Sequence, residues 1–307
     1  MSGGSPPAAA SVTIVVPTFG RDGVLVGTLE RLVRLDPPAE EIVVVDQTPA
    51  HDEAAEAALA RLEAGGAIRR VRLARPSIPG ALNRGLLEAR GELAVVVDDD
   101  VEPTADFVAA HRSAHPPGAD LVVGGQVLQP GEEPAALEGE RFEFRSSIAQ
   151  ETRDAMGGNF SVRRAFALSI GGFDESFAGA AYRFESDFCL RARKAGARIR
   201  FEPRASLRHL RAARGGTRAY GSHLTTMRPH HAVGEYYFLL RHRPRGWLGR
   251  LLGRPWRAVA TRFHARRPWR IPATWVAEFA GLAWAIGLVA RPPRLLPRAA
   301  GQGDALP

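Results

Sequence analysis

The sequence predicts an α/β fold: a mostly parallel sheet flanked by helices, followed by a basic helical appendage. Three observations carry this reading. Through residues 11–125, short β-branched runs alternate with segments of helical periodicity, at the spacing of βαβ crossovers. Three of those runs end in polar clusters, Pro17–Arg21, Asp46–Thr48 and Asp98–Asp100; right-handed crossovers bring such ends to one sheet edge, where open α/β sheets bind ligands. Residues 241–300 hold thirteen arginines against one acid, Glu278, an excess of +12, whereas residues 1–240 sum to −3.

The first run, SVTIVVPTFGR, is a buried strand broken at Pro17. Asp22 is placed to cap a helix in which Val24, Leu25, Leu29, Leu32 and Val33 share a face. EIVVVDQT is a second strand ending at Asp46, and HDEAAEAALARLEAGG is a helix stopped by a glycine pair. AIRRVRL is a weaker strand, PGALNRGLLEARG a helix with Pro79 near its start, and ELAVVVDDD the next strand. TADFVAAHRSAH reads as a helix and ADLVVGG as a strand. Beyond residue 125 the pattern loosens. GGNFSVRRAFALSIGGFDESF mixes glycine-rich loops with one short helix. ESDFCLRARKAG is an acid-opened helix closed by Gly196, and ARIRFEPRASLRHL supplies a further strand or two.

The expected organisation is a main domain over 11–220 and an Arg-rich, partly hydrophobic helical region over 221–300. Short disordered segments, 1–10 and 301–307, flank them. A single cysteine, Cys189, excludes an internal disulfide and suits a reducing cytoplasm. The opening MSGGSPPAAA has neither a basic n-region nor an apolar h-region, so it does not read as a secretion signal.

The valine run that ends in Asp98-Asp99-Asp100 poses the chemical question, because three adjacent carboxylates repel one another and are costly to desolvate without a neutralising charge. A solvated strand end is one reading. The other is a divalent-cation site, since Mg²⁺ is commonly held by one or two carboxylates plus substrate phosphates. Asp98 and Asp100, separated by one residue, can turn to the same side of a tight turn.

Six ordered blocks, VVPTFGR (15–21), VVVDQT (43–48), ALNRGLLEARGELAVVVDDDVEP (81–103), GGNFSVRR (157–164), GGFDESF (171–177) and ESDFCLRARKAG (185–196), make the chain resemble the family 2 glycosyltransferases. The resemblance covers about residues 11–210. It implies a GT-A fold and inverting transfer from a nucleotide-diphosphate sugar with Mg²⁺ or Mn²⁺. It also implies a donor pocket drawn from Pro17, Thr18, Phe19, Arg21, Asp46, Asn83, Arg84, Asp98 and Asp99. Asp98 and Asp100 match the family's D-x-D pair, Asp100 being favoured for direct metal contact, and His209 is the expected third ligand. Gly158 and Asn159 fall on the acceptor side. The family's usual E-D-x-D-L-x-x-R is altered: aligning Asp187, Leu190 and Arg191 leaves Glu185 at the position of the base, with Asp187 the alternative. Both acids also suit capping of the helix that follows. Arg211, Arg214 and Arg218, around Gly215-Gly216, are either an anion clamp over the diphosphate or solvated loop charges.

The apolar stretch 271–290 approaches the length of a membrane span but carries Glu278 mid-segment, where charge is expensive. With Trp269, Trp275, Trp284 and flanking arginines it reads first as a surface-lying helix, then as a packed core helix, and last as a span. The expectation is a cytoplasmic enzyme with peripheral membrane contact through 245–298, acting on a carbohydrate or lipid-linked acceptor. A non-catalytic scaffold of the same fold is disfavoured by the two acid pairs, Asp98/Asp100 and Glu185/Asp187. A haloacid-dehalogenase-type phosphohydrolase needs Thr or Val where Glu102 stands. VVPTFGRDG lacks the G-x-G-x-x-G of dinucleotide folds, and the basic region has no nucleic-acid motif.

Overall fold

The β-branched runs fold into four parallel strands on one side of a nine-stranded sheet. The computed structural model describes residues 9–297. The expected disordered tail lies outside the described residues, as does all but the end of the expected lead. β1 (Val12–Thr18), β2 (Glu41–Asp46), β3 (Arg69–Arg72) and β4 (Leu93–Val97) pair in the order β3-β2-β1-β4. The crossovers are α1 (Gly23–Val33), α2 (Glu53–Ala64) and α3 (Ile78–Glu88). Asp52 caps α2 by accepting from Ala55 N at 2.7 Å, and Ser77 caps α3 from Gly80 N with Pro79 in the first turn. Asp22 stands at the start of α1 without a capping bond; its carboxylate meets His51 Nδ1 at 2.9 Å instead.

Past β4 the sheet turns mixed. The chain runs through β5 (Val101–Pro103), α4 (Phe107–Ser113), β6 (Leu121–Leu128), β7 (Gln150–Glu151), β8 (Asn159–Arg163), α5 (Arg164–Ser169), α6 (Phe184–Lys194) and β9 (Arg198–His209). β8 lies between β4 and β6, antiparallel to both; β9 runs parallel to β6 and antiparallel to β5 and β7. NFSVR, taken from sequence as loop, is thus a central strand. Its polar residues mislead because they face a buried network. His111 Nδ1 and His115 Nε2 each lie 2.8 Å from Ser161 Oγ, and His111 Nε2 lies 2.9 Å from Asn159 Oδ1. Burial pushes His111 down to about 4 and His115 to about 3, so both imidazoles are neutral near pH 7.

Side chains alternate across the sheet and build one apolar layer on each face. Ile14, Val16, Val44, Val95 and Val97 pack with Leu25, Leu29 and Phe107. Val15, Val43, Val45, Val96 and Phe160 pack with Leu82, Leu86, Phe173 and Phe188. The second layer extends into the C-terminal helices α7 (Val233–His242), α8 (Trp247–Val259) and α10 (Ile271–Val289), with the short α9 (Arg262–Arg266) between the last two in sequence. Tyr236 and Tyr237 of α7 are fully buried. Tyr237 OH donates to Asp174 at 2.7 Å, and Glu235 accepts from Arg183 at 2.6 Å and Arg250 at 2.9 Å.

Pro268–Val289 is long and apolar enough to cross a membrane by length and composition. Its acid faces inward: Glu278 accepts from Tyr236 OH at 2.8 Å and lies 2.9 Å from Arg254 Nε. Val276, Phe279 and Ile286 remain exposed on α10, and Leu248, Leu252 and Trp256 form an i, i+4, i+8 stripe on α8.

Candidate active site

Parallel pairing brings the carboxyl ends of β1, β2 and β4 to one edge, and a cavity of about 280 Å³ opens there. Pro17, Thr18, Phe19 and Arg21 line it from the end of β1, Gln47 from β2, and Asp98, Asp99 and Asp100 from β4. Met156, Gly157, Gly158, Tyr182, Phe184, Glu185, His209, Thr217 and Arg218 complete the wall.

The chain leaves β4 at Val97 and bends through Asp99 and Asp100, and the acidic triplet divides across this turn. Asp99 turns back to accept from Thr18 Oγ1 at 2.7 Å. Asp98 and Asp100 join His209, their ligand atoms all within 4.8 Å of one another. His209 arrives by sheet register, because β5 pairs with the end of β9, Val101 lies opposite His209, and Leu210 N donates to Asp100 O. Asp100 then accepts from His209 Nε2 at 3.1 Å, Arg21 Nη1 at 2.9 Å and Ala212 N at 2.8 Å. Among the described residues no hydrogen bond reaches the Asp98 carboxylate. A Cβ at position 158 would overlap that carboxylate, so the close approach of the chain there requires glycine.

Burial pushes Asp98 above the usual carboxylate range, and Asp100 adds to this against His209 and Arg21. Burial also carries Asp99 up to about 7, opposed by Arg21 and the Thr18 hydrogen bond. Burial works against Asp100 too, but the bonds from His209 and Ala212 N and the charge of Arg21 hold it low. The Asp100 hydrogen bond in turn raises His209 against its own burial. Two carboxylates and an imidazole converging on one point, one carboxylate without a protein partner, fit a hard divalent cation.

Glu185 lies in the first turn of α6 and lines the same cavity. Burial, helped by Asp154 and Asp98, carries it up to about 7; its own backbone N–H and Arg183 restrain it. A carboxylate poised there is suited to general-base work. Ala181 and Arg183, on either side of Tyr182, hold φ of 51° and 77°. Strain of about 1–3 kcal/mol per residue in this region is typical of chain shaped around a site.

Several residues expected from sequence lie elsewhere. Asp187 is no alternative base: Arg191 Nε at 2.9 Å and His242 Nε2 at 2.6 Å occupy its oxygens, which lock α6 to α7. Asp46 is sealed off by Thr48 N, His51 and Arg72, and the next residue, Gln47, reaches the cavity edge instead. Asn83 ties α3 to the Phe173 backbone, donating to its O at 2.9 Å and accepting from its N at 2.7 Å. Arg84 makes a surface i, i+4 pair with Glu88. Asn159 is fully buried beneath the cavity, bonded to Gln126 O, Ala205 O and His111. Of the three loop arginines only Arg218 lines the cavity, Gly216 N pinning its loop to Phe19 O at 2.7 Å. Tyr182 was not singled out from the sequence, and Phe184 only as the residue standing where the family's preceding Glu would be; their aromatic character before an acidic helix start was the available signal.

Comparison with known proteins places the chain in a family and a fold. Residues 13–190 match the model of glycosyl transferase family 2. An uncharacterized protein y4gI of Sinorhizobium fredii (strain NBRC 101917 / NGR234) is 29% identical over 236 residues, 67% of this chain, and the chain spans about 25% of that relative's length. The mannosyltransferase PcManGT from Pyrobaculum calidifontis, solved with GDP-Man and Mn²⁺, superposes with a TM-score of 0.55 at 21% identity, over 92% of this chain and 79% of that one. GalNAc-T7, solved with UDP, GalNAc and Mn²⁺, gives 0.55 at 13% identity over 66% of this chain and 44% of its own. Matched over more than half its length, the chain belongs to glycosyl transferase family 2 and has the GT-A fold.

Proposed function

We propose that the chain transfers a sugar from a nucleotide-diphosphate donor to an acceptor hydroxyl with inversion at the anomeric carbon. The observation that carries this reading is one cavity holding both Glu185 and the Asp98/Asp100/His209 cluster. That structurally similar proteins were solved with UDP or GDP-Man and Mn²⁺ supports the donor class and the metal. Glu185 takes the proton of the acceptor hydroxyl as that oxygen forms the new bond to the anomeric carbon, and the bond to the nucleoside diphosphate breaks on the opposite face. Asp98, Asp100 and His209 would hold Mg²⁺ or Mn²⁺, which neutralises charge developing on the departing diphosphate. Arg218 adds a guanidinium to the same wall, and Arg21 fixes Asp100 from behind. One displacement suffices, so configuration inverts. Incubating the full chain with a panel of UDP- and GDP-sugars should release nucleoside diphosphate from at least one, with Mn²⁺ or Mg²⁺ and not with a chelator. Release from none, or release indifferent to the chelator, would reject the proposal.

The same reading has the enzyme working at the cytoplasmic face of a membrane on a carbohydrate or lipid-linked acceptor. Its support is the exposed stripe Leu248, Leu252 and Trp256 beside the exposed Val276 and Phe279, within the arginine-rich region. The protein should sediment with vesicles containing anionic lipid and lose this with L252E/W256E. Equal sedimentation of the variant would remove the stripe from the account.

A further inference from the structure

A second cavity, of about 400 Å³, lies beside the first, enclosed by residues 223–232, α8 and α10. Tyr182 lines both. Three arginines, Arg228, Arg254 and Arg257, face one acid in its wall, Glu278. That acid is already matched by Arg254, whose guanidinium also stacks over Tyr236. Arg228 and Arg257 keep unmatched charge: both are exposed, among the described residues neither has an acidic partner, and Arg257 donates one Nη2 bond to the Arg250 carbonyl, which leaves its other N–H groups for a ligand. His223 and His231 stand in the same wall. Burial lowers His223, and His231 and Arg254 lower it further, as expected where positive charge accumulates.

Surplus guanidinium in a concave site is suited to a phosphate, which the planar fork can hold by two parallel hydrogen bonds. The position of Tyr182 connects that chemistry to the base. Its backbone is fixed by its left-handed neighbours and by α7, where a Cβ on Gly234 would overlap the Tyr182 carbonyl. The residue borders both the cavity of Glu185 and that of the arginines.

We infer that the second cavity seats a phosphate or diphosphate carried by the acceptor, taken up by Arg228 and Arg257, with the acceptor's sugar lying across Tyr182 towards Glu185. The acceptor role rests on the glycosyl-transfer reading; the anion site does not, and the two are tested apart.

The test is calorimetric titration of the full chain in EDTA, without donor, using glucose 1-phosphate in one arm and farnesyl phosphate in the other. Saturable binding of either probe is expected, and R228Q/R257Q should weaken it at least about tenfold, the usual consequence of losing a charge-assisted hydrogen bond. R228K/R257K, which keeps the charges without the forks, should fall between. Unchanged thermal melting of the variants confirms folding, and the tighter probe identifies a soluble or a lipid-borne acceptor. The inference is overturned if neither probe binds, if R228Q/R257Q binds as tightly as the parent, or if Arg218→Gln in the donor cavity abolishes binding in its place. A chain that binds the phosphate but releases no nucleoside diphosphate keeps the anion site and loses the transfer reaction.

Discussion

Glu185→Gln is expected to lower kcat by about 10²–10⁴-fold, the range for loss of a positioned general base. Nucleoside diphosphate binding should be nearly unchanged, because the amide keeps the size of the side chain and Glu185 makes no bond to the Asp98/Asp100/His209 cluster. The pH dependence supplies a second signature. Burial carries Glu185 up to about 7, and only the ionised carboxylate accepts a proton, so kcat/KM should rise with pH and level off above that value. Below it, activity should fall about tenfold per pH unit. In the glutamine variant this limb should disappear. Asp187→Asn makes the contrast, since it cuts bonds to Arg191 and His242 and its cost should fall on stability, about 3–5 kcal/mol, read as a lower melting temperature. A normal turnover in Glu185→Gln, or an unshifted pH limb, would move the base elsewhere.

The parallel half of the fold was legible because its signal is local. Valine runs buried on both faces, a crossover helix stopped by the glycine pair Gly65-Gly66, and Pro79 in a first turn each declare themselves within a few residues, whereas the caps Asp52 and Ser77 were not picked out. β8 was not legible. Its Asn159 and Ser161 look like loop residues until His111 and His115, nearly fifty positions earlier in the chain, are seen to occupy the same buried layer. The C-terminal helices were legible as helices, but the inward turn of Glu278 depends on Tyr236 and Arg254, partners that spacing alone does not pair.

The site divides in the same way. The D-x-D pair was readable because two aspartates separated by one residue can turn to the same side of a tight turn, as Asp98 and Asp100 do beside His209. Asp100 is held by Arg21, His209 and Ala212 N, whereas among the described residues no hydrogen bond reaches the Asp98 carboxylate. Asp46 and Gln47 differ by one step of the strand alternation, and the acid is the one turned away. Arg228 and Arg257 gave no signal at all. They belong to a region rich in arginine, and what distinguishes them is that among the described residues neither pairs with an acid, Glu278 being taken by Arg254, which only the folded chain reveals.

The second large effect is expected at Asp98. Asp98→Asn preserves shape and removes one ligand charge, without disturbing the bonds of Asp100 to Arg21, His209 and Ala212 N. Losing several kcal/mol of transition-state charge stabilisation corresponds to about 10³-fold or more in metal-dependent turnover. Asp100→Asn should be as damaging but less clean, because Arg21 then keeps a buried charge with Asp99, 3.6 Å away, as its remaining ion-pair partner. The most direct measurement is the number of Mn²⁺ ions bound per chain in the presence of UDP or GDP, followed by the loss of the free-ion paramagnetic resonance signal. One ion per chain, its affinity collapsing in Asp98→Asn, is the expected result; no bound ion with either nucleotide, or undiminished binding in the variant, would contradict the account.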